Sequence, residues 1–259
     1  MRISISALLL FVSFALASGQ TGSAHSIGAT PADASAASPA SASVQSPVIV
    51  IGFVGGFVRH DDRVHSSVQL AVHLREEYPS GVHVQAFENH RGDEAYKEVL
   101  RLLDTDHDGT LSAEEKQSAR IIIYGHSWGG SETVTLAREL DADGIPVILT
   151  IQVDSVSKFG ENDAVIPANV AQAVNFYQVD GFLHGQPKIR AADAKRTQIL
   201  GNFRFDYKTN PLSCDQYPWY DRAFMKAHIE IECDPKVWNR VESLIRAKLP
   251  AAIPSGSAP

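Results

Sequence analysis

The stretch Arg120-Ile121-Ile122-Ile123-Tyr124-Gly125-His126-Ser127-Trp128-Gly129-Gly130 decides how the rest of the chain is read. Arg120 to Tyr124 has the apolar, β-branched character of a buried strand, and Glu132 to Leu140 has the pattern of a helix. Between them, Gly125 and Gly129 stand two residues either side of Ser127. A sharp strand-to-helix turn that lifts a serine hydroxyl clear of a sheet is crowded, and glycines at those places relieve the crowding. The segment reads as a nucleophile elbow. Gly-x-Ser-x-Gly by itself recurs by chance, so the strand before it and the helix after it are what give the motif its weight.

Outward from the elbow, apolar runs alternate with helical patterns, as in a mostly parallel sheet covered by helices on both faces. Val48 to Phe53, Val82 to Phe87, Pro146 to Val153, Val174 to Val179 and Gln198 to Phe205 read as strands. Val64 to Tyr78, Glu94 to Leu103, the short Pro167 to Ala173 and Val237 to Leu249 read as helices. The fold class is therefore α/β, with little or no lid, because no long insertion follows the nucleophile helix.

The folded domain is expected over residues 48–249. Residues 1–17 have a positive start at Met1-Arg2, an apolar stretch from Ile5, and the small-residue pattern Ala15-Leu16-Ala17, together a signal peptide. Residues 18–47, rich in Ala, Ser and Pro, bury too little to offset their own ordering entropy and read as a disordered tether. Residues 250–259 read as a flexible tail. Export implies a secreted or periplasmic protein with no stable membrane anchor. A net charge of -7 without any basic run excludes nucleic acid as a partner. The two cysteines, Cys214 and Cys233, suit one disulfide in an oxidising compartment.

Taken together, residues 47–249 resemble the α/β-hydrolase family, in particular its compact secreted lipases and esterases. The resemblance implies a triad in the chain order Ser, acid, His. Of the ten histidines, His184 and His228 follow Ser127. His228, just ahead of the last helix, looks like the family's catalytic-histidine loop and is the preferred base; His184 is the second candidate. For the acid, Asp154 ends a buried strand on the edge where such sheets bind ligands. Asp180, one strand later, matches the commoner placement, and Asp163 and Asp206 are more distant options. Backbone N–H groups of Trp128 and Phe53, with Val54 as the alternative to Phe53, are the expected oxyanion donors. The family often has His-Gly where this chain has Ile51-Gly52. Cys214 and Cys233 bracket His228, so a bond between them would hold the base in place. Arg59 to Asp62 reads as a solvated loop end, and Tyr217-Pro218-Trp219-Tyr220 either lines an acyl pocket or packs.

A second motif runs from Asp104 to Glu115. Asp104, Asp106 and Asp108 occupy the first, third and fifth places of an EF-hand loop. Gly109 permits the sharp turn, Thr110 offers a carbonyl, Ser112 acts through water, and Glu115 is placed to bind with both oxygens. With no second loop to pair with, it reads as a solitary structural Ca²⁺ site that takes no part in the chemistry. The expected function is hydrolysis of a small-molecule or lipid carboxylic ester through Ser127, His228 and Asp154. A thioesterase or amidase on the same parts, and a non-catalytic calcium-dependent envelope or binding module, are the alternatives. Oligomeric state is not legible.

Overall fold

The computed structural model describes residues 47–251. The expected signal peptide, nearly all of the tether and most of the tail lie outside the described residues. In chain order the elements are β1 (Val48–Val54), α1 (Ser66–Glu77), β2 (Val82–Glu88), α2 (Gly92–Leu103), α3 (Ala113–Gln117), β3 (Arg120–His126), α4 (Trp128–Ala142) and β4 (Leu149–Val153). They continue with β5 (Val165–Ile166), β6 (Gln172–Gln178), β7 (Arg190–Ala191), β8 (Gln198–Phe205), α5 (Trp219–Phe224), α6 (Lys226–Cys233) and α7 (Pro235–Arg246).

Six strands form one sheet in the order β2-β1-β3-β4-β6-β8. Every neighbouring pair in it is parallel. A parallel strand covered on both faces must be apolar on both, which is why Ile121, Ile122, Ile123 and Tyr124 are all fully buried. Alternate residues serve opposite layers. Val48, Val50, Ile122 and Tyr124 pack with Leu70 and Leu74 of α1 and with Trp238 and Val241 of α7. Ile49, Ile51, Phe53, Ile121 and Ile123 pack with Val99 of α2 and Leu136 and Leu140 of α4. The expected α/β architecture with helices on both faces is the observed one, and α4 passes to β4 without an inserted lid.

Three elements differ from expectation. The helix expected over Pro167 to Ala173 does not form. Asn169 Nδ2 donates to the carbonyls of Ala137 and Ile145, both at 2.9 Å, and Val170 bridges to Val147, so the backbone is drawn out extended into β6. A seven-residue stretch has little helical drive of its own to resist that pull. Likewise β4 begins at Leu149 and not at Pro146. His228 stands on a helix, α6, and not in a loop. That helix lacks a polar face because Glu230 and Glu232 are buried along with the isoleucines, each against a partner: Lys226 at 2.7 Å and His65 at 2.8 Å.

Candidate active site

The strand order reverses between β1 and β3, since β2 lies to one side of β1 and the later strands lie beyond β3. In such sheets the crevice at the carboxyl ends of the two strands flanking the reversal is where ligands bind. Ser127 follows β3 directly and is the N-cap of α4, with φ 57° and ψ -125°. That backbone conformation is unfavourable for any residue but glycine, and hydrogen bonds hold it in place. Ser127 N donates to Val153 O at 3.0 Å, and Ser127 O accepts from Gly130 N at 2.9 Å and Val156 N at 3.1 Å. The flanking glycines are required by space: a Cβ on Gly125 would lie 2.2 Å from Gly129 O, and one on Gly129 would lie 2.3 Å from Phe53 O.

Asp154 follows β4, also with positive φ, 44°. It is fully buried, and its carboxylate accepts from Gln178 Nε2 at 2.7 Å, Gln178 N at 3.2 Å and Gly185 N at 2.8 Å. The remaining partner is His228 Nδ1, 2.7 Å from Oδ2. Burial pushes the Asp154 pKa upward, but the bond and charge of His228, with the Gln178 and Gly185 donors, outweigh it and hold the carboxyl below 3.8. An ionised Asp154 fixes the proton of His228 on Nδ1 and leaves Nε2 as the basic nitrogen. Ser127 is 7% exposed and His228 3%. Ser127 Oγ makes no hydrogen bond to a described residue; nucleophile-to-base contacts in ligand-free sites often close only around substrate.

The other acid and base candidates lie elsewhere. Asp180 Oδ2 accepts from Tyr207 N at 2.7 Å and stays near Arg204, so it braces the turn after β8. Asp163 accepts from the hydroxyls of Ser155 and Ser157. Asp206 accepts from the backbone of Lys208 and Thr209, both at 3.1 Å. His184 is exposed. Trp128 is the first residue of α4, where a helix leaves its N–H groups without intrahelical acceptors. Phe53 is paired on both sides, with Phe87 and Gly125, whereas Val54, the next residue, pairs with Glu88 alone. Just beyond, Gly55 is so close to the turn that a Cβ there would lie 2.9 Å from Ser127 Cβ. Gln178 and Gly185, which hold the acid, were not expected from sequence. Gly185 had a signal, being a glycine beside a candidate histidine; Gln178 had none.

Cys214 and Cys233 are bonded, with Cα atoms 6.0 Å apart, and the bond fastens the end of α6. Large apolar side chains are exposed on the segments that follow the carboxyl ends of β1, β4 and β6, at Phe57, Phe159 and Phe182, and Trp219, Tyr220 and Phe224 are exposed on α5. The Phe57 ring meets Trp128 edge-on, centroids 5.7 Å apart.

In the loop from Asp104 to Glu115, carboxylate oxygens of Asp104, Asp106 and Asp108 lie within 4.8 Å of one another. Gly109 takes φ 84°, and its N–H donates to Asp104 Oδ2 at 3.1 Å. Glu115 closes the loop: Oε1 accepts from Thr105 N at 2.7 Å and Oε2 from Ser112 N at 2.9 Å. These bonds hold the Glu115 carboxyl down at about 2, so it stays an anion. Hard oxygen donors around three converged carboxylates fit a Ca²⁺ ion, and Glu115 would have to give up its loop donors to join them. Thr110 donates its own N–H to Asp108 Oδ1 at 2.7 Å, which shapes the same turn.

No protein-family model matches the sequence, and no curated protein matches it. Among solved structures, a Xanthomonas campestris chain described as a hydrolase of the alpha/beta superfamily is 13% identical, covering 77% of this chain and 99% of its own at TM-score 0.35. An acetylxylan esterase is 12% identical, covering 79% and 99% at TM-score 0.39. A YdeN-like hydrolase described from Pectobacterium atrosepticum is 14% identical, covering 78% and 94% at TM-score 0.37. At these distances none of them transfers an activity.

Proposed function

We propose that the chain is an exported serine hydrolase that cleaves carboxylic esters through an acyl-enzyme. The observation that carries this reading is the 2.7 Å contact of His228 Nδ1 with the buried Asp154, on a sheet edge that also holds Ser127 in a strained turn. Ser127 Oγ attacks the carbonyl carbon while His228 Nε2 takes its proton. The C–O bond to the leaving alcohol then breaks, and His228 returns the proton to the alcohol oxygen. Water repeats the sequence on the acyl-enzyme and frees the acid. Asp154 keeps its own charge throughout and supports the imidazolium. The N–H groups of Trp128 and of Phe53 or Val54 receive the oxyanion. The exposed Phe57 ring against Trp128 suits an apolar acyl group, which favours esters with a hydrocarbon chain over highly polar ones.

The export signal at residues 1–17 and the loop from Asp104 to Glu115 complete the proposal. Ca²⁺ bound there, by Asp104, Asp106, Asp108, Thr110, Ser112 and Glu115, would neutralise the loop and brace the connection into β3. It takes no part in ester cleavage. A fluorophosphonate probe tests the central claim: it should label the wild type and not Ser127→Ala. An unlabelled wild type would overturn it in favour of a non-catalytic module. A panel of esters, thioesters and amides of graded chain length then separates the hydrolase classes, with esters expected to turn over fastest.

A further inference from the structure

His228 has a second buried neighbour besides Asp154. The ring of His126, the residue before the serine, lies 4.5 Å from the His228 ring, centroid to centroid, with 34° between their planes. His126 Nδ1 is 3.7 Å from Glu232 Oε2, and the other oxygen, Glu232 Oε1, is 2.8 Å from His65 Nδ1. Glu232 is 2% exposed and stands four residues after His228 on α6, hence on the same helix face. The end of β3, the segment before α1, and α6 thus meet on one carboxylate. Packing alone does not ask for a carboxylate there, since a buried charge is costly unless paired.

We propose that Glu232 is a positioning residue for His228: it holds His126 against the His228 ring, keeps that ring aligned on Asp154, and favours the imidazolium His228 becomes during catalysis. The inference rests on the serine-hydrolase reading. Glu232 takes no proton in the cycle; the serine proton goes to His228 Nε2 and Nδ1 keeps its own. The titratable groups facing Glu232 are His65, His126, His228, Tyr217 and Asp221, with Asp62 behind His65 at 3.9 Å. Their balance is consistent with an anion at this place. Burial raises the Glu232 carboxyl, but its histidine neighbours, His126, His65 and His228, bring it below 4.5. Burial likewise lowers His65, yet Glu232 more than offsets it and lifts His65 above 6.5. Burial leaves His126 at about 4, hence neutral, and its Nε2 has no hydrogen-bond partner among the described residues. His65, held by the same carboxylate, is placed to temper how much negative charge reaches His228.

The test pairs the pH profile of kcat/KM on p-nitrophenyl butyrate with an NMR titration of the His228 imidazole, in the full chain. In Glu232→Gln, which keeps an acceptor for His65, the His228 pKa and the acidic limb should fall together by about one unit. On the plateau kcat should drop about tenfold while KM stays within about twofold, the pattern of a lost transition-state interaction. His65→Gln, which keeps Glu232 and removes its cation, should move the His228 pKa upward, and it serves if Glu232→Gln fails to fold. An unmoved His228 titration in whichever of these variants folds overturns the role of Glu232, even if KM changes. A wild type that fluorophosphonate leaves unlabelled overturns the hydrolase reading itself, whereas labelling with an unmoved titration removes Glu232 alone.

Discussion

Asp154 and the trio Asp104, Asp106 and Asp108 are both carboxylate sites shaped by tight backbone turns, and they differ in what balances the charge. Asp154 is sealed from water, and the chain itself supplies every donor it needs, including one histidine from 74 residues away. The loop aspartates are half-buried or exposed, and their donors are N–H and hydroxyl groups of the loop itself, such as Asp108 N to Asp104 Oδ1 at 3.1 Å. A buried carboxylate has to be satisfied by the fold, because nothing else reaches it. An exposed one can leave part of its charge to the solution. The first site is thus satisfied by the fold itself, and the second leaves charge open to the solution.

The largest expected effect follows from breaking the sealed site. Ser127→Ala should lower kcat by about 10⁵- to 10⁶-fold. Asp154→Asn should lower it by about 10⁴-fold by favouring the wrong His228 tautomer. Single-turnover assays on folded protein check both, and residual turnover within about tenfold of wild type would remove Asp154 from the triad. Next comes Gly185→Ala. Its Cβ would lie 2.3 Å from the Asp154 carbonyl carbon, so the acid or the loop must shift. A displacement of about 1 Å at such a place costs about 10²-fold in turnover. The loop should respond in stability and not in chemistry. At Ca²⁺ about 100-fold above its Kd, removing the ion with EGTA forfeits about 2.7 kcal/mol of linkage. For a domain of this size that is about 5–10 °C in Tm. Asp106→Asn should abolish the EGTA response and leave kcat within about twofold. A calorimetric scan blind to EGTA would end the comparison. The smallest effect belongs to Asp180→Asn, which should cost about 1 kcal/mol through its bond to Tyr207 N and leave turnover unchanged.

Much of this was legible because it is local. The runs at Ile121–Ile123 and Ile49–Ile51 declare buried parallel strands by being apolar throughout, and the convergence of Asp104, Asp106 and Asp108 follows from their spacing within one loop. What could not be read depends on partners far along the chain. Glu232 is buried because of His65, 167 residues away, so α6 shows no helical pattern of polar and apolar sides. The choice between Asp154 and Asp180 turns on the segment after β6 folding back to bring Gly185 onto Asp154, and no spacing in the sequence records that. The second oxyanion donor is similarly a matter of how β1 ends beside β3. The helix expected at Pro167 gave way to sheet pairing, a tertiary preference that a short window cannot contain.

Ser127 and Asp154, two of the three non-glycine residues with positive φ among those described, are the proposed nucleophile and acid. Such conformations cost about 1–3 kcal/mol each. On the proposed reading the protein gives up durability where its chemistry sits, and selection for thermal endurance alone would push it toward inactivity. Ser127→Gly should melt at a higher temperature than Ser127→Ala, both being without turnover. If the glycine variant melts lower, the elbow stores no such tension, and its shape is held without loss by the strands around it.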